Sequence, residues 1–250
     1  PGLGQRYFHR TEQLLMDSFN VVVMWPSYGL PRNDFTYSLA RLISYFATVR
    51  VFPEITSQKL EPLSLEGSGI GAQRDDLVNA ALRFPGVTHL CFIDEDTGFN
   101  PDVLHILARK RQPIVGCNYR MRVPPADFTA LSLDRTHRIQ TTQETSGLEE
   151  AFYIGFGFSL FEKEVFEKVE QPRFLQQWNT ESRRYTTEDL PFFLKSREAG
   201  YKCYVDHDAS KRIWHKGGMS YCWNEDYSNL GKNFMKPEQF IPAEGKQDGQ

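Results

Sequence analysis

The feature that most limits the folds open to this chain is a rhythm. Short apolar, β-branched runs alternate with segments whose apolar residues recur every three or four positions. "NVVVMWP" (20–26) reads as a buried strand closed by a proline, and "PRNDFTYSLARLISYF" follows with Phe35, Leu39, Leu42 and Ile43 at helical spacing. "TVRVFPEI" (48–55) predicts a second strand. "EGSGIGAQRDDLVNAALRFPG" opens as a Gly-rich loop and becomes a helix carrying Leu77, Val78, Ala81 and Leu82, stopped by Pro85-Gly86. "VTHLCFID" (87–94) is the strongest strand signal, and "PIVGCNY", "YIGFGFSLF" and "YKCYVDHD" supply more. This alternation predicts an α/β fold with parallel strands. Two helix starts carry their own signatures. Asn100-Pro101-Asp102 offers an N-cap, a proline at the first helical position and an acid in the first turn, and Thr187 is the expected N-cap of "TTEDLPFFLKSREAG". The stretch from about 120 to 150 is polar and turn-rich, as hairpins or a lid over a site would be.

A chain of 250 residues, 40% hydrophobic, has core enough for one large domain. The net charge of −3 gives no global field to gather nucleic acid, which leaves only local clusters: Arg109-Lys110-Arg111, Arg120/Arg122, Arg183-Arg184 and Lys211-Arg212. Four scattered cysteines with no CxxC pair read as free thiols in a reducing compartment. No apolar run is long enough for a membrane span and no signal-peptide pattern is visible, so the expected location is the cytoplasm.

Against that background one stretch stands out. The strand "THLCFID" runs straight into Asp94-Glu95-Asp96. Carboxylates so close repel one another, and a cation or a row of N–H groups should offset them. In parallel α/β sheets ligands collect at the carboxyl ends of strands, where two acids one residue apart can address one hard divalent metal. Spacing excludes the sharper rivals. An EF-hand loop needs its glycine at position six, and Gly98 comes at five. A D-x-D-x-T nucleophile motif fails because Thr97 is one place early, and the Gly67, Gly69, Gly71 spacing does not fit a dinucleotide-binding G-x-G-x-x-G. His215 in "RIWHKGG" is a candidate third metal ligand, and Glu188-Asp189 at a helix start are candidates for general-base work.

Four motifs then stand in order: "GIGAQRDDLVNAAL", "FIDEDTGFNPDVL", "GFGFSLFEKEVFE" and "TTEDLPFFLKSREAGYKCYVD…IWHKGG". Together they resemble a GT-A-type glycosyltransferase of the D-x-D kind, family-2-like and nearest to short single-domain bacterial and phage members, over about 20–218. The resemblance implies a Rossmann-like, mostly parallel sheet flanked by helices. It implies a nucleotide-sugar and metal half over about 20–118, an acceptor half over about 119–218 and a wrapping tail over 219–250. It places Mn2+ or Mg2+ on Asp94, Asp96 and His215, bridging the diphosphate of a UDP- or GDP-linked sugar. Glu95 would face the sugar or its ribose, and Pro26, Ser27 and Tyr28 the base. Arg74 would reach the diphosphate, and Gly155 and Gly157 would line the acceptor pocket. Asp189, beside Glu188, would be the base of an inverting reaction on a hydroxyl acceptor. The acidic pair usual after the second strand is not evident, and Glu54 or Asp75-Asp76 are the candidates to replace it. Three alternatives stand beside this reading: a glycosyltransferase acting on modified bases in DNA, a nucleotidyltransferase, and a non-catalytic sugar-nucleotide-binding protein.

Overall fold

The computed structural model describes residues 17–67, 69–122, 125–180, 183–217 and 220–226, so most of the expected tail lies outside the described residues. Its centre is a seven-stranded sheet in the order β2-β1-β3-β7-β5-β10-β6. These strands are β1 (Ser18–Ser27), β2 (Ser57–Glu66), β3 (His89–Ile93), β5 (Ile114–Gly116), β6 (Leu148–Ala151), β7 (Phe158–Glu162) and β10 (Cys203–Asp206). Strands β1, β2, β3, β5 and β10 run parallel, while β7 and the edge strand β6 run against them. Apolar runs without alternation are what a strand covered on both faces requires. Along β1 the faces divide with period two: Val21 and Val23 join one core, Val22 and Met24 the other.

Helices cover both faces. On one side lie α1 (Asn33–Thr48) and α3 (Val103–Arg109), with Phe35, Leu42, Phe46 and Leu107 turned inward. Ile43, expected in that stripe, is on the outer face. On the other side lie α2 (Ile70–Ala81), α4 (Lys163–Lys168) and α5 (Asp189–Glu198), where Leu77, Val78, Phe166, Phe192 and Phe193 meet an aromatic cluster around Phe156 and Phe161. A single turn, α6 (His207–Ser210), follows β10.

The second strand differs from the expectation. Residues 51–54 form bends and turns, and the strand is the next segment, "SQKLEPLSLE". Val51 and Phe52 are buried, but as a plug beside α1 rather than as a ladder. β2 is an edge strand, which tolerates the polar residues and Pro62 that masked it in the sequence. Both helix starts also differ. Asp102 and Glu188 occupy the cap positions instead of Asn100 and Thr187, and neither side chain caps, because each meets an arginine instead. The 120–150 stretch does form short bridged turns, but Phe128, Ala130 and Ile139 anchor it in the interior.

Two small sheets complete the fold. The hairpin β8 (Trp178–Asn179) and β9 (Arg184–Tyr185) stands just before α5, and β4 (Thr97–Phe99), β11 (Ile213–Lys216) and β12 (Ser220–Tyr221) form an antiparallel trio. The trio positions the acidic turn. β4 continues directly from Asp96, and Thr97 pairs with His215 across the ladder. Gly98 pairs with Trp214, whose indole fills the space a side chain would need: a Cβ on Gly98 would lie 2.2 Å from its ring nitrogen. We therefore expect Gly98→Ala to cost about 2 kcal/mol, a fall in Tm of about 6 °C, measured by calorimetry. An unchanged melt would mean the two strands are not held this closely.

Candidate active site

The carboxyl ends of β1 and β3 open on a cleft of about 500 Å³ lined by Pro26, Tyr28, Arg32, Asp94, Asp96 and Arg122. One buried residue of α2 holds the acid at its edge, Asp94. Arg74 shares a helix face with Leu77, Val78 and Ala81 and is 2% exposed, so its guanidinium has to find its charge partners inside the protein. It finds three. Nη2 donates to Asp94 at 3.1 Å, and Nη1 donates to Glu188 at 2.7 Å and also to Asp189. The plane lies 4.8 Å from the centre of the Phe156 ring, adding a cation–π contact. Burial opposes protonation of Arg74, but the three carboxylates more than offset it and hold the guanidinium charged.

Three carboxylates on one cation leave negative charge in excess, and the acids divide accordingly. Burial pushes Asp189 up to about 7, with Glu188 and Asp94 adding to the rise and Arg74 opposing it. Asp94 is raised as well, by burial first, against the pull of Arg74. Asp96 goes the other way. Burial works against it, but the hydrogen bond and charge of His215 and the Arg122 guanidinium hold it below the ordinary carboxylate range. Its two oxygens have separate partners, His215 Nε2 at 3.1 Å on one and Arg122 at 2.8 Å on the other.

The other expected residues fall around this centre. Glu95 turns back to β1, accepting the Ser27 hydroxyl at 2.8 Å and the Tyr28 N–H at 3.2 Å, so it holds the turn in place. Tyr28, 58% exposed, forms the cleft wall with its ring open to a planar ligand. Gly155 and Gly157 seat the ring of Tyr119: a Cβ would lie 2.4 Å from its hydroxyl at Gly155 and 2.5 Å from its ring at Gly157. The Tyr119 hydroxyl accepts the Gly157 N–H at 2.9 Å, and the ring meets His215 edge-on at 5.3 Å. Burial, then Asp94 and Asp189, push that phenol well above its usual range, so it stays protonated. Tyr119 lies just past the end of β5, after Cys117 and Asn118, and the strand-end rule that singled out Asp94 would also have found it. Glu54 and Asp75 are elsewhere, paired with Arg111 and Arg173. The acid at the end of β2 is Glu66, directly opposite Ser27 on β1.

Among the described residues no three His, Cys, Asp or Glu side chains converge as a ready cage for a metal. Asp96 and His215 nevertheless suit a divalent cation. His215 Nδ1 lies 2.9 Å from the Arg120 carbonyl, which can only accept, so Nδ1 carries the proton. Nε2 then faces a carboxylate oxygen at 3.1 Å, a pairing that needs a proton or a cation between them. A backbone carbonyl fixing the far nitrogen is the usual support for a ligating histidine. One carboxylate and one imidazole leave room for phosphate and water oxygens, which Mg2+ and Mn2+ favour. Asp94 is turned from this pair to Arg74.

No protein-family model matches the chain, and no curated protein matches it. Likeness is found among solved structures. The crystal structure of A197 from STIV matches with a TM-score of 0.56 at 19% sequence identity, over 80% of this chain and 86% of that one. At such identity what is shared is the fold: a mixed, mostly parallel, helix-flanked sheet of the Rossmann-like GT-A kind.

Proposed function

We propose that the chain is a glycosyltransferase that moves a sugar from a UDP- or GDP-linked donor to a hydroxyl acceptor with inversion. One observation carries the reading: a buried arginine gathers the first D-x-D acid and the two acids at the start of α5 into one cluster beside the Asp96–His215 pair. That is the convergence a displacement at a sugar carbon needs, with a charge-binding side and a base side joined through the acidic turn and Arg74. On this reading the base stacks on Tyr28, and the diphosphate lies near Asp96 and Arg122. Asp96 and His215, with Asp94 behind them, would hold a Mn2+ or Mg2+ ion, which would supply Lewis-acid charge to the leaving diphosphate.

The protein's own part is proton handling and orientation. Asp189, in its deprotonated form, takes the acceptor hydroxyl proton as the acceptor oxygen bonds to the sugar carbon and that carbon's bond to the diphosphate oxygen breaks. Arg74 keeps the Asp189 carboxylate aimed, and Glu188, sharing Arg74, keeps its proton affinity high. A base whose pKa lies near 7 is matched to neutral pH.

Four measurements test this. With Mn2+ and a panel of UDP- and GDP-sugars the protein should release nucleoside diphosphate and Asp96→Ala should not; equal release by the two would end the metal-site reading. Asp189→Asn should lower kcat about 1000-fold with little change in KM. The wild-type kcat should rise with pH through about 7 as Asp189 loses its proton, and a profile flat across that range excludes it as the base. Arg74→Met should leave three carboxylates facing each other over Phe156, costing about 4 kcal/mol near pH 8. Without the guanidinium the folded-state pKa values of Asp94 and Asp189 rise further, so the folded protein binds protons before the unfolded chain does, and the deficit shrinks as pH falls towards about 5. A Tm deficit independent of pH would mean that Arg74 acts by packing alone.

A further inference from the structure

The four basic clusters of the sequence differ in what they can still bind. Arg109 donates to the Val51 carbonyl at 2.9 Å, Lys110 pairs with Asp206 at 2.8 Å, and Arg111 pairs with Glu54. Arg122 is on Asp96, Arg212 on Asp102, and Arg120 lies 4.1 Å from the centre of the Phe128 ring. Lys211 donates to the carbonyls of Gln143 and Thr145. Arg183-Arg184 is the exception: both side chains are exposed, and among the described residues neither guanidinium meets a carboxylate or a carbonyl.

These two arginines sit on the β8–β9 hairpin with two aromatic rings. Trp178 is 53% and Tyr185 64% exposed, and they pair directly across the ladder, ring centres 5.2 Å apart in a T. A backbone bond from Thr186 to Gln177, at 2.8 Å, and a side-chain bond back from the Gln177 N–H to the Thr186 hydroxyl, at 2.9 Å, close the base of the hairpin. So the sequence keeps two large rings in water at the end of a short, pinned ribbon, where ordinary packing would bury them. Its position is also constrained. Tyr185 is four residues before Asp189, so even a fully extended chain keeps it within about 14 Å of the proposed base.

We infer that this hairpin is a binding platform for an anionic saccharide, the acceptor of the transfer. The ligand class rests on the glycosyltransferase reading; the platform itself rests on the exposed rings and unengaged arginines. A sugar ring's C–H face lies against an aromatic ring, and a guanidinium fork grips a carboxylate or phosphate bidentately. A few sugar units reach from the rings to Asp189, placing the reacting hydroxyl at the base. Nucleic acid is the less favoured occupant. Its backbone asks for a stripe of cations, and here the other clusters are engaged internally on a chain of net charge −3.

The test is a titration of the full chain with oligogalacturonate, maltooligosaccharide and oligo-dT, read by tryptophan fluorescence and calorimetry. Oligogalacturonate should bind saturably and lose affinity as salt rises. Trp178→Ala should remove the fluorescence response and weaken binding about tenfold. The double exchange Arg183→Gln/Arg184→Gln should weaken it about tenfold and abolish the salt dependence. Unchanged melting temperatures would confirm that both variants fold, as surface positions predict. The inference is overturned if the acidic sugar does not bind, if maltooligosaccharide binds as well, if oligo-dT binds more tightly, or if Trp178→Ala binds normally. It is equally overturned if Trp178→Ala converts a dimer into a monomer by sedimentation, which would make the rings a self-association face. Nucleotide release by the wild type is a separate readout: saccharide binding without release keeps the platform and removes the transferase.

Discussion

A guanidinium buried to 2% exposure is tolerable only if its charge is met, and the carboxylates that meet Arg74 come from two distant places in the chain. Asp94 comes from the end of β3, and Glu188 and Asp189 from the start of α5. Removing either set leaves a desolvated cation, and removing the cation leaves clustered anions, so each depends on the others. This interdependence brings the acidic turn and the α5 acids together in one site. It also explains why neither acid of α5 caps its own helix: their oxygens face Arg74.

The same shortage of positive charge separates the acids chemically. Asp96 has His215 and Arg122 to itself and stays below its ordinary range, while Asp189 shares one cation with two other carboxylates and rises to about 7. Two carboxyl groups driven apart in proton affinity by their surroundings are suited to different tasks, one to holding positive charge and the other to exchanging a proton near neutrality. The division arises from burial, the largest push on Asp189, together with the count and placement of partners.

Strong local rules leave clear marks in the sequence. A fully buried strand must be apolar, so β3 and the acids at its end are plain, and Gly200, with φ of +87°, closes α5 where the apolar pattern stops. Features that depend on tertiary position leave weaker marks. β2 lies at an edge, where polar residues and Pro62 are permitted, while Val51 and Phe52 imitate a strand because they plug the core. Arg74 was expected on a diphosphate; only the fold brings it to Asp94, Glu188 and Asp189 and gives the neighbouring Asp75 to Arg173. Gly155 and Gly157 were expected to line an acceptor pocket, but the group they admit is Tyr119, which comes from another strand end and is linked to them only by the fold.

Tyr119 joins the two sides of the site. Its ring touches His215, the imidazole beside Asp96, and its hydroxyl lies in the field of Asp94 and Asp189. Ionising there would add a further negative charge to a cluster already short of cations, so the phenol remains a neutral donor. A neutral O–H adds no repulsion, and its oxygen is fixed by the Gly157 N–H at 2.9 Å. The two glycines therefore matter for the absence of side chains: any Cβ there would displace the ring from His215 and the hydroxyl from the carboxylates together. The turn before β7 thereby holds Tyr119 against His215, within the field of Asp94 and Asp189.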